Sequence, residues 1–214
     1  MGVYDDIKAD YNDAKLVRWY AHTYDSSKEF YNHLEMFLKK LSQGAKILDA
    51  GSGIGKESAE MARQGFHPIA IDFSPEMISV LKKKYPKIEC YLEDIRQTRF
   101  KNMEFDGVWC CRTIFHIMQK DVLKTLREFH RVLKKDGYLA FMWLREESGV
   151  EYRREDSTET NAGLLYLKYI RTWYSKAYME NMVQEAGFHV EYDELFDDKD
   201  KEAHVFAIAR KITE

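Results

Sequence analysis

From Gly44 onward the chain alternates short, almost uniformly apolar runs with longer stretches of helical period, and few folds accommodate that alternation. Five runs stand out: Ala45 to Ala50 (AKILDA), His67 to Asp72 (HPIAID), Ile88 to Leu92 (IECYL), Phe105 to Cys111 (FDGVWCC) and Tyr138 to Leu144 (YLAFMWL). A strand apolar on both faces has to be covered on both, so these runs predict a parallel sheet between two helical layers. Glu57 to Gln64, Pro75 to Lys84 and Asp121 to Lys134 supply the helices, with apolar residues three and four apart, as in Val122, Leu126, Phe129 and Leu133. Ser74 before Pro75 reads as a cap followed by a first-turn proline. Gly65 and Gly137 follow their helices where a left-handed residue ends them. The expected class is α/β, a doubly wound parallel sheet.

The remaining segments are less regular. After Leu144 the stretch REESGVEYRREDSTETNAG is too long and too charged for an ordinary connection, and it is expected to be a functional or mobile insertion. Lys176 to Ala186, ended by Gly187, predicts another helix, and Phe188 to Leu195 and His204 to Ile208 predict two last strands joined by DDKDKE. Residues 1–43 form an aromatic-rich helical preface expected to pack across the ligand edge of the sheet. Residues 1–214 are read as one domain, with a helical N-terminal cap over 1–43 and a substrate-side insertion over 145–174. With 45% hydrophobic and 14% aromatic positions, 214 residues can close a full-sized core. Tyr11, Trp19, Tyr20, Tyr24, Trp143, Tyr166, Tyr169 and Trp173 fit either that core or a pocket wall.

Charge and cysteine usage narrow the partners. Lys and Arg number 33 against 36 Asp and Glu, a net charge of -3 that gathers no phosphates and argues against nucleic acid. Lys39-Lys40, Lys82-Lys83-Lys84 and Lys134-Lys135 fall at predicted helix C-termini, where cations favour the dipole. Cys110 and Cys111, as strand neighbours, face opposite sides of a sheet. With Cys90 they lie in apolar surroundings without a C-x-x-C or paired histidines, which predicts packed, reduced thiols and no metal site. No apolar run approaches the roughly 20 residues of a membrane helix, and residues 1–15 lack the apolar core of a secretory signal. A cytoplasmic protein, off the membrane and monomeric or homodimeric, is expected.

The chemistry is concentrated in Asp49-Ala50-Gly51-Ser52-Gly53-Ile54-Gly55, between the first strand and the first helix. Its spacing is G-x-G-x-G, whereas the dinucleotide fingerprint is G-x-G-x-x-G with a pyrophosphate at the helix N-terminus. A carboxylate at the mouth of the loop repels a pyrophosphate and attracts an ammonium or a sulfonium, which argues against a nicotinamide dehydrogenase on the same sheet. The second strand ends in Asp72, about twenty residues past the loop, where an acid accepts both hydroxyls of an unphosphorylated ribose. Asp94, after the third strand, either accepts the amine of an adenine lying against Phe73 and Ile95 or caps the next turn.

KILDAGSGIGKESAEMARQGFHPIAIDFSPEMI, FDGVWCCRTIFHI and LREFHRVLKKDGYLAF together resemble the class I S-adenosylmethionine-dependent methyltransferases, and within them the bacterial small-molecule branch. The likeness runs from about Gly44 to the C-terminus. It implies a Rossmann-like seven-stranded sheet of order 3-2-1-4-5-7-6 with strand 7 antiparallel. It also implies S-adenosyl-L-methionine as cofactor and S-adenosyl-L-homocysteine as product. Asp49, Gly51, Gly53 and Gly55 would surround the methionine part and Asp72 would hold the ribose. Phe73 and Met77 would flank the adenine, Asp94 and Ile95 would contact it, and the Cys110 backbone would meet the methionine amino group.

Cys110, Cys111 and Arg112 replace small residues usual in that branch, so a narrower or more polar acceptor mouth is expected. CCRT stands where nucleic-acid and protein methyltransferases carry an Asn- or Asp-Pro-Pro-aromatic motif. The acceptor is therefore expected to be a small molecule, methylated by in-line displacement. An RNA, DNA or protein methyltransferase and a non-catalytic S-adenosylmethionine-binding module are the rivals. His116, just past the fourth strand, is the candidate general base, with packing between Phe115 and Ile117 as its alternative.

Overall fold

The structure is a computed structural model that describes residues 2–22, 28–147, 150–155, 158–160, 163–165, 169–197 and 202–212; the side chains of Trp19, Tyr20, Tyr24, Phe30, Tyr166 and Tyr169 lie outside those described. Three helices, α1 (Val3–Tyr11), α2 (Ala14–His22) and α3 (Lys28–Leu38), precede β1 (Lys46–Ala50). There follow α4 (Lys56–Arg63), β2 (His67–Asp72), α5 (Pro75–Lys84), β3 (Glu89–Leu92), β4 (Phe105–Cys110), a 3-10 turn (Ile114–His116), α6 (Gln119–Val132) and β5 (Leu133–Arg145). β6 (Val150–Glu155), β7 (Thr158–Thr160), β8 (Gly163–Leu165), β9 (Tyr169–Tyr174), α7 (Lys176–Glu185), β10 (Phe188–Asp197) and β11 (Ala203–Lys211) complete the chain.

The main sheet runs β3-β2-β1-β4-β5-β11-β10. β1 to β5 are parallel, and β11 lies antiparallel to both β5 and β10. With the strands of the 145–174 segment set aside, this is the expected order 3-2-1-4-5-7-6. The continuous apolarity of the central strands reflects cover on both faces. On one face Leu48, Val108 and Phe141 pack with Leu126 and Phe129 of α6 and Met179 and Val183 of α7. On the other, Ile47 and Trp109 pack with Leu34 and Phe37 of α3 and Met61 of α4. Each such fully buried side chain stabilises the fold by about 1.5 to 3 kcal/mol. Cys110 joins the first cluster and Cys111 the second, as the two-residue period requires, and Cys90, Cys110 and Cys111 are buried free thiols.

Four expectations are revised or made specific. The 145–174 segment, expected as an insertion, extends the sheet: β9 pairs in parallel with the end of β5, Leu144 opposite Trp173, and β6 pairs antiparallel with β9. Its VEYRRE strand carries charges on four of six residues, which hides it from an apolar-run criterion, whereas YIRTWY carries one, Arg171. The preface divides, since α1 and α2 reach the ligand edge whereas α3 packs against a face of the sheet. Third, α6 ends at Val132 and the chain passes directly into β5, so Lys134 and Lys135 lie in a strand, where Lys134 pairs with Asp106. Fourth, the left-handed residue there is Asp136, φ +60°, and Gly137 serves close packing instead: a Cβ on it would stand 3.0 Å from the Asp106 carbonyl oxygen. Among the described residues no helix is long and apolar enough to cross a membrane, and no three His, Cys, Asp or Glu side chains gather as a metal site.

Candidate functional site

The strand order reverses between β1 and β4, and the glycine loop stands at that crevice. It is held by its own backbone: the N–H groups of Gly51 and Ser52 both donate to the Ile71 carbonyl, at 2.8 and 2.9 Å, and Gly55 N–H donates to Ser52 at 2.9 Å. Gly51 has φ +82°, and a Cβ there would lie 2.3 Å from Thr113 Cγ2 and Oγ1, so the residue must be glycine for two independent reasons. Gly55, φ +80°, is the N-cap of α4 and leaves no room for a Cβ against Leu81. Thr113 Oγ1 donates to the Gly51 carbonyl at 3.3 Å, which braces the loop against the turn that carries His116. Ser52 Oγ is buried and has no hydrogen-bond partner among the described residues.

Two carboxyl groups lie beneath this loop. Asp49, in β1, is 3% exposed, and Ser58 Oγ donates to its Oδ2 at 2.5 Å. Burial, with the nearby Glu57 charge adding to it, pushes its pKa up to about 8 against the opposing Ser58 hydrogen bond. Asp72 closes β2 at 7% exposure, where Oδ2 accepts from Gly53 N–H at 2.9 Å and Oδ1 from Ser74 N–H at 2.8 Å. Burial raises it to about 6, and the donated N–H groups limit the rise. The Cys110 thiol, at the end of β4, is fully buried and its pKa is driven up by burial and by Asp49.

The positions expected at an adenine follow the ends of β2 and β3, where Asp72 pairs with Leu92. Ser74 caps α5, accepting from Met77 N–H at 3.1 Å as the Ser-Pro pair predicts. Its hydroxyl donates to the Tyr11 carbonyl and to Asn12 Oδ1, at 2.7 and 2.8 Å, tying the α1–α2 corner to the end of β2. Phe73 faces the Tyr11 ring at 6.2 Å, and Met77 packs with Val17 of α2 and Ile54. Ile95 joins the core, while Asp94 takes the Arg96 backbone N–H and its guanidinium, at 2.5 Å from Nη2. Asp94 therefore does cap its turn. Burial works to raise its pKa, yet the hydrogen bonds and charge of Arg96 hold it below the usual carboxylate value. The same guanidinium stacks 3.5 Å from the centroid of Tyr4, whose hydroxyl donates to Asp121 Oδ2 at 2.7 Å.

On the other side of the loop stands His116. Its Nε2 lies 2.8 Å from the Tyr11 hydroxyl, and its ring meets Tyr11 and Phe115 edge-on. Phe115, Leu144 and Trp173 form a small buried cluster beside it, and the Tyr174 hydroxyl donates to the Ile117 carbonyl. Trp143 belongs to the core, stacked on Phe141. Ser58, Thr113, Arg96 and the pairing of Tyr11 with His116 escape sequence reasoning. Ser58, on the buried face of α4, offers a signal only once Asp49 is known to be buried.

Residues 48–141 match the family described as methyltransferase domain. The chain is 37% identical over 134 residues to glycine/sarcosine N-methyltransferase of Aphanothece halophytica, a stretch covering 58% of this chain and 48% of that protein. It is 37% identical over 101 residues to demethylmenaquinone methyltransferase of Chlorobaculum tepidum, covering 43% and 38%. The chain thus spans less than half the length of these curated relatives. In fold it resembles the crystal structure of Burkholderia thailandensis 1,6-didemethyltoxoflavin-N1-methyltransferase with bound 1,6-didemethyltoxoflavin and S-adenosylhomocysteine, with a TM-score of 0.78 at 14% identity over 98% of this chain and 89% of that one.

Proposed function

We propose, from the premise that this chain carries a class I S-adenosylmethionine-dependent methyltransferase domain, that it transfers the methyl group of S-adenosylmethionine to a small-molecule acceptor. The observation that carries the reading is the pair of buried carboxyls, Asp49 and Asp72, closed over by a loop in which Gly51 and Gly55 leave no space for a Cβ. The residues fit the cofactor: the acids suit an ammonium and a ribose diol, and the buried Ser52 hydroxyl, without a partner among the described residues, offers one more polar contact.

When bound, the cofactor supplies an electrophilic methyl on a sulfonium, which leaves as a neutral thioether once the acceptor's lone pair displaces it. The chain's own part is placement. Asp49 holds the amino-acid end, Asp72 the ribose and Phe73 a face of the base. Gly51, Gly53 and Gly55 allow close backbone approach, and the Cys110 backbone, at the end of β4, would meet the methionine amino group. Holding the partners in near-attack geometry supplies most of the acceleration such a displacement needs. His116, oriented by Tyr11, takes the proton that the acceptor loses, and Phe115, Leu144 and Trp173 give that side an apolar wall.

A nitrogen acceptor is the first to test, since two of the similar proteins are named N-methyltransferases and a neutral imidazole suits removal of a proton from an amine. The test is release of S-adenosylhomocysteine across a panel of amines, N–H heterocycles and quinols, with bulk RNA and protein as controls. Turnover with a member of the small-molecule panel is expected. Transfer to RNA or protein alone would overturn the small-molecule reading, and cofactor binding without transfer to any acceptor would favour a binding module.

A further inference from the structure

Asp49 sits where a carboxylate is costly to keep ionised. It is enclosed between β2 and β4, its partners being Ala70 on one side and Trp109 on the other. The charged and titratable groups that act on it are Glu57 from α4 and Asp72 from the end of β2, both of the same sign. From the end of β4 and the residue after it come the thiols of Cys110 and Cys111, which burial keeps protonated. Against these stands Ser58, fully buried in the first turn of α4, with its hydroxyl 2.5 Å from Asp49 Oδ2 and its backbone N–H turned to the same carboxyl. The first turn of a helix also presents free N–H groups and the positive end of its dipole, so Ser58 brings Asp49 within that favourable field.

We propose that Ser58 is a positioning residue for cofactor recognition: its hydroxyl fixes the orientation of Asp49 and favours the anion that the ammonium of S-adenosylmethionine requires. The proposal rests on the reading that Asp49 faces the amino-acid end of that cofactor. Without the hydroxyl, Asp49 faces the two like charges in a low-dielectric crevice with less to offset them and holds its proton still more tightly in the empty pocket. A cationic ligand then has to displace that proton, and its apparent affinity falls by the fraction of molecules in the ionised state. That fraction rises with pH, so the deficit has a pH signature that a packing defect lacks.

The experiment is calorimetric titration of the full chain with S-adenosylmethionine from about pH 6.5 to about pH 9, for wild type, Ser58→Ala and Ser58→Thr, with thermal unfolding as the check on folding. The ligand's own titration cancels in the ratio of variant to wild-type Kd. For Ser58→Ala that ratio is expected to be about 10 at pH 7 and to shrink toward about 2 at pH 9, with Ser58→Thr close to wild type. Repeating the titration in two buffers of different ionisation heat is expected to show more protons released on binding by Ser58→Ala than by wild type. A ratio that stays constant with pH, or equal affinity throughout, overturns the proposal. Failure of the wild type itself to bind would overturn the functional reading instead, so the two failures are distinguishable.

Discussion

The two sides of the crevice are built differently. Around Asp49 and Asp72 the partners are close in sequence: Ser58 lies nine positions from Asp49, and Gly53 nineteen from Asp72. The contacts there are largely backbone, from a loop whose shape follows from three left-handed glycines. Around His116 the partners are remote side chains: Tyr11 is 105 positions away, and Tyr174 lies 57 from Ile117, to whose carbonyl it donates. A site made of one strand-turn-helix unit tolerates little change, whereas a site assembled from distant segments can be rebuilt by altering any of them. The comparison teaches why one sheet can keep its cofactor while its acceptors differ.

The sharpest way to break that contrast is to strike each side separately. Gly51→Val forces a branched side chain into a left-handed residue that touches Thr113. Cofactor affinity is expected to fall by more than about 100-fold in titration, through backbone distortion; wild-type affinity would mean that the loop is not the binding element. His116→Ala is expected to lower turnover by about 100-fold while cofactor Kd stays unchanged. A parallel loss of affinity would erase the division between the two sides. Asp72→Ala is expected to weaken cofactor binding by about 1.5 to 3 kcal/mol, the cost of a charge-assisted hydrogen bond, and unchanged binding would remove it from the ribose.

Smaller effects sharpen the picture. Asp49 and Asp72 bind protons more tightly folded than unfolded, with values raised to about 8 and about 6 from the ordinary aspartate value of 3.8. Their linkage therefore costs stability as pH rises through that window, and a cationic cofactor restores it by binding the ionised form. The rise in Tm on adding S-adenosylmethionine is expected to be larger near pH 8 than near pH 6 in thermal scans; a rise that shrinks over this range would contradict the electrostatics. Tyr11→Phe keeps the ring against Phe73 and removes only the hydroxyl on His116, so turnover is expected to drop by about 2- to 10-fold with affinity kept.

The same division decides what the amino-acid order reveals. β1, β2 and β4 are legible because both their faces are buried, and the glycine loop because its spacing is itself the conformation. β6 is not, because four of its six residues are charged, and β9, whose one charge is Arg171, shows its place only through its pairing with Leu144 and Arg145. The end of α6 is misread because Leu133 has the right period for the helix, yet its pairing with Phe105 takes it into β5. The nearness of Tyr11 to His116 needs the α1–α2 corner to be folded onto Ser74, a contact between residues 63 positions apart that no local pattern encodes. Ser58 is hidden for a different reason: only the three-dimensional burial of Asp49 gives its hydroxyl a task.

The measurement that bears most directly on the central claim is calorimetric titration of the purified chain with S-adenosylmethionine and, in parallel, with NADH. Micromolar binding of S-adenosylmethionine at one site per chain, with NADH silent, is the predicted result. Binding of NADH, or of neither ligand, would contradict it.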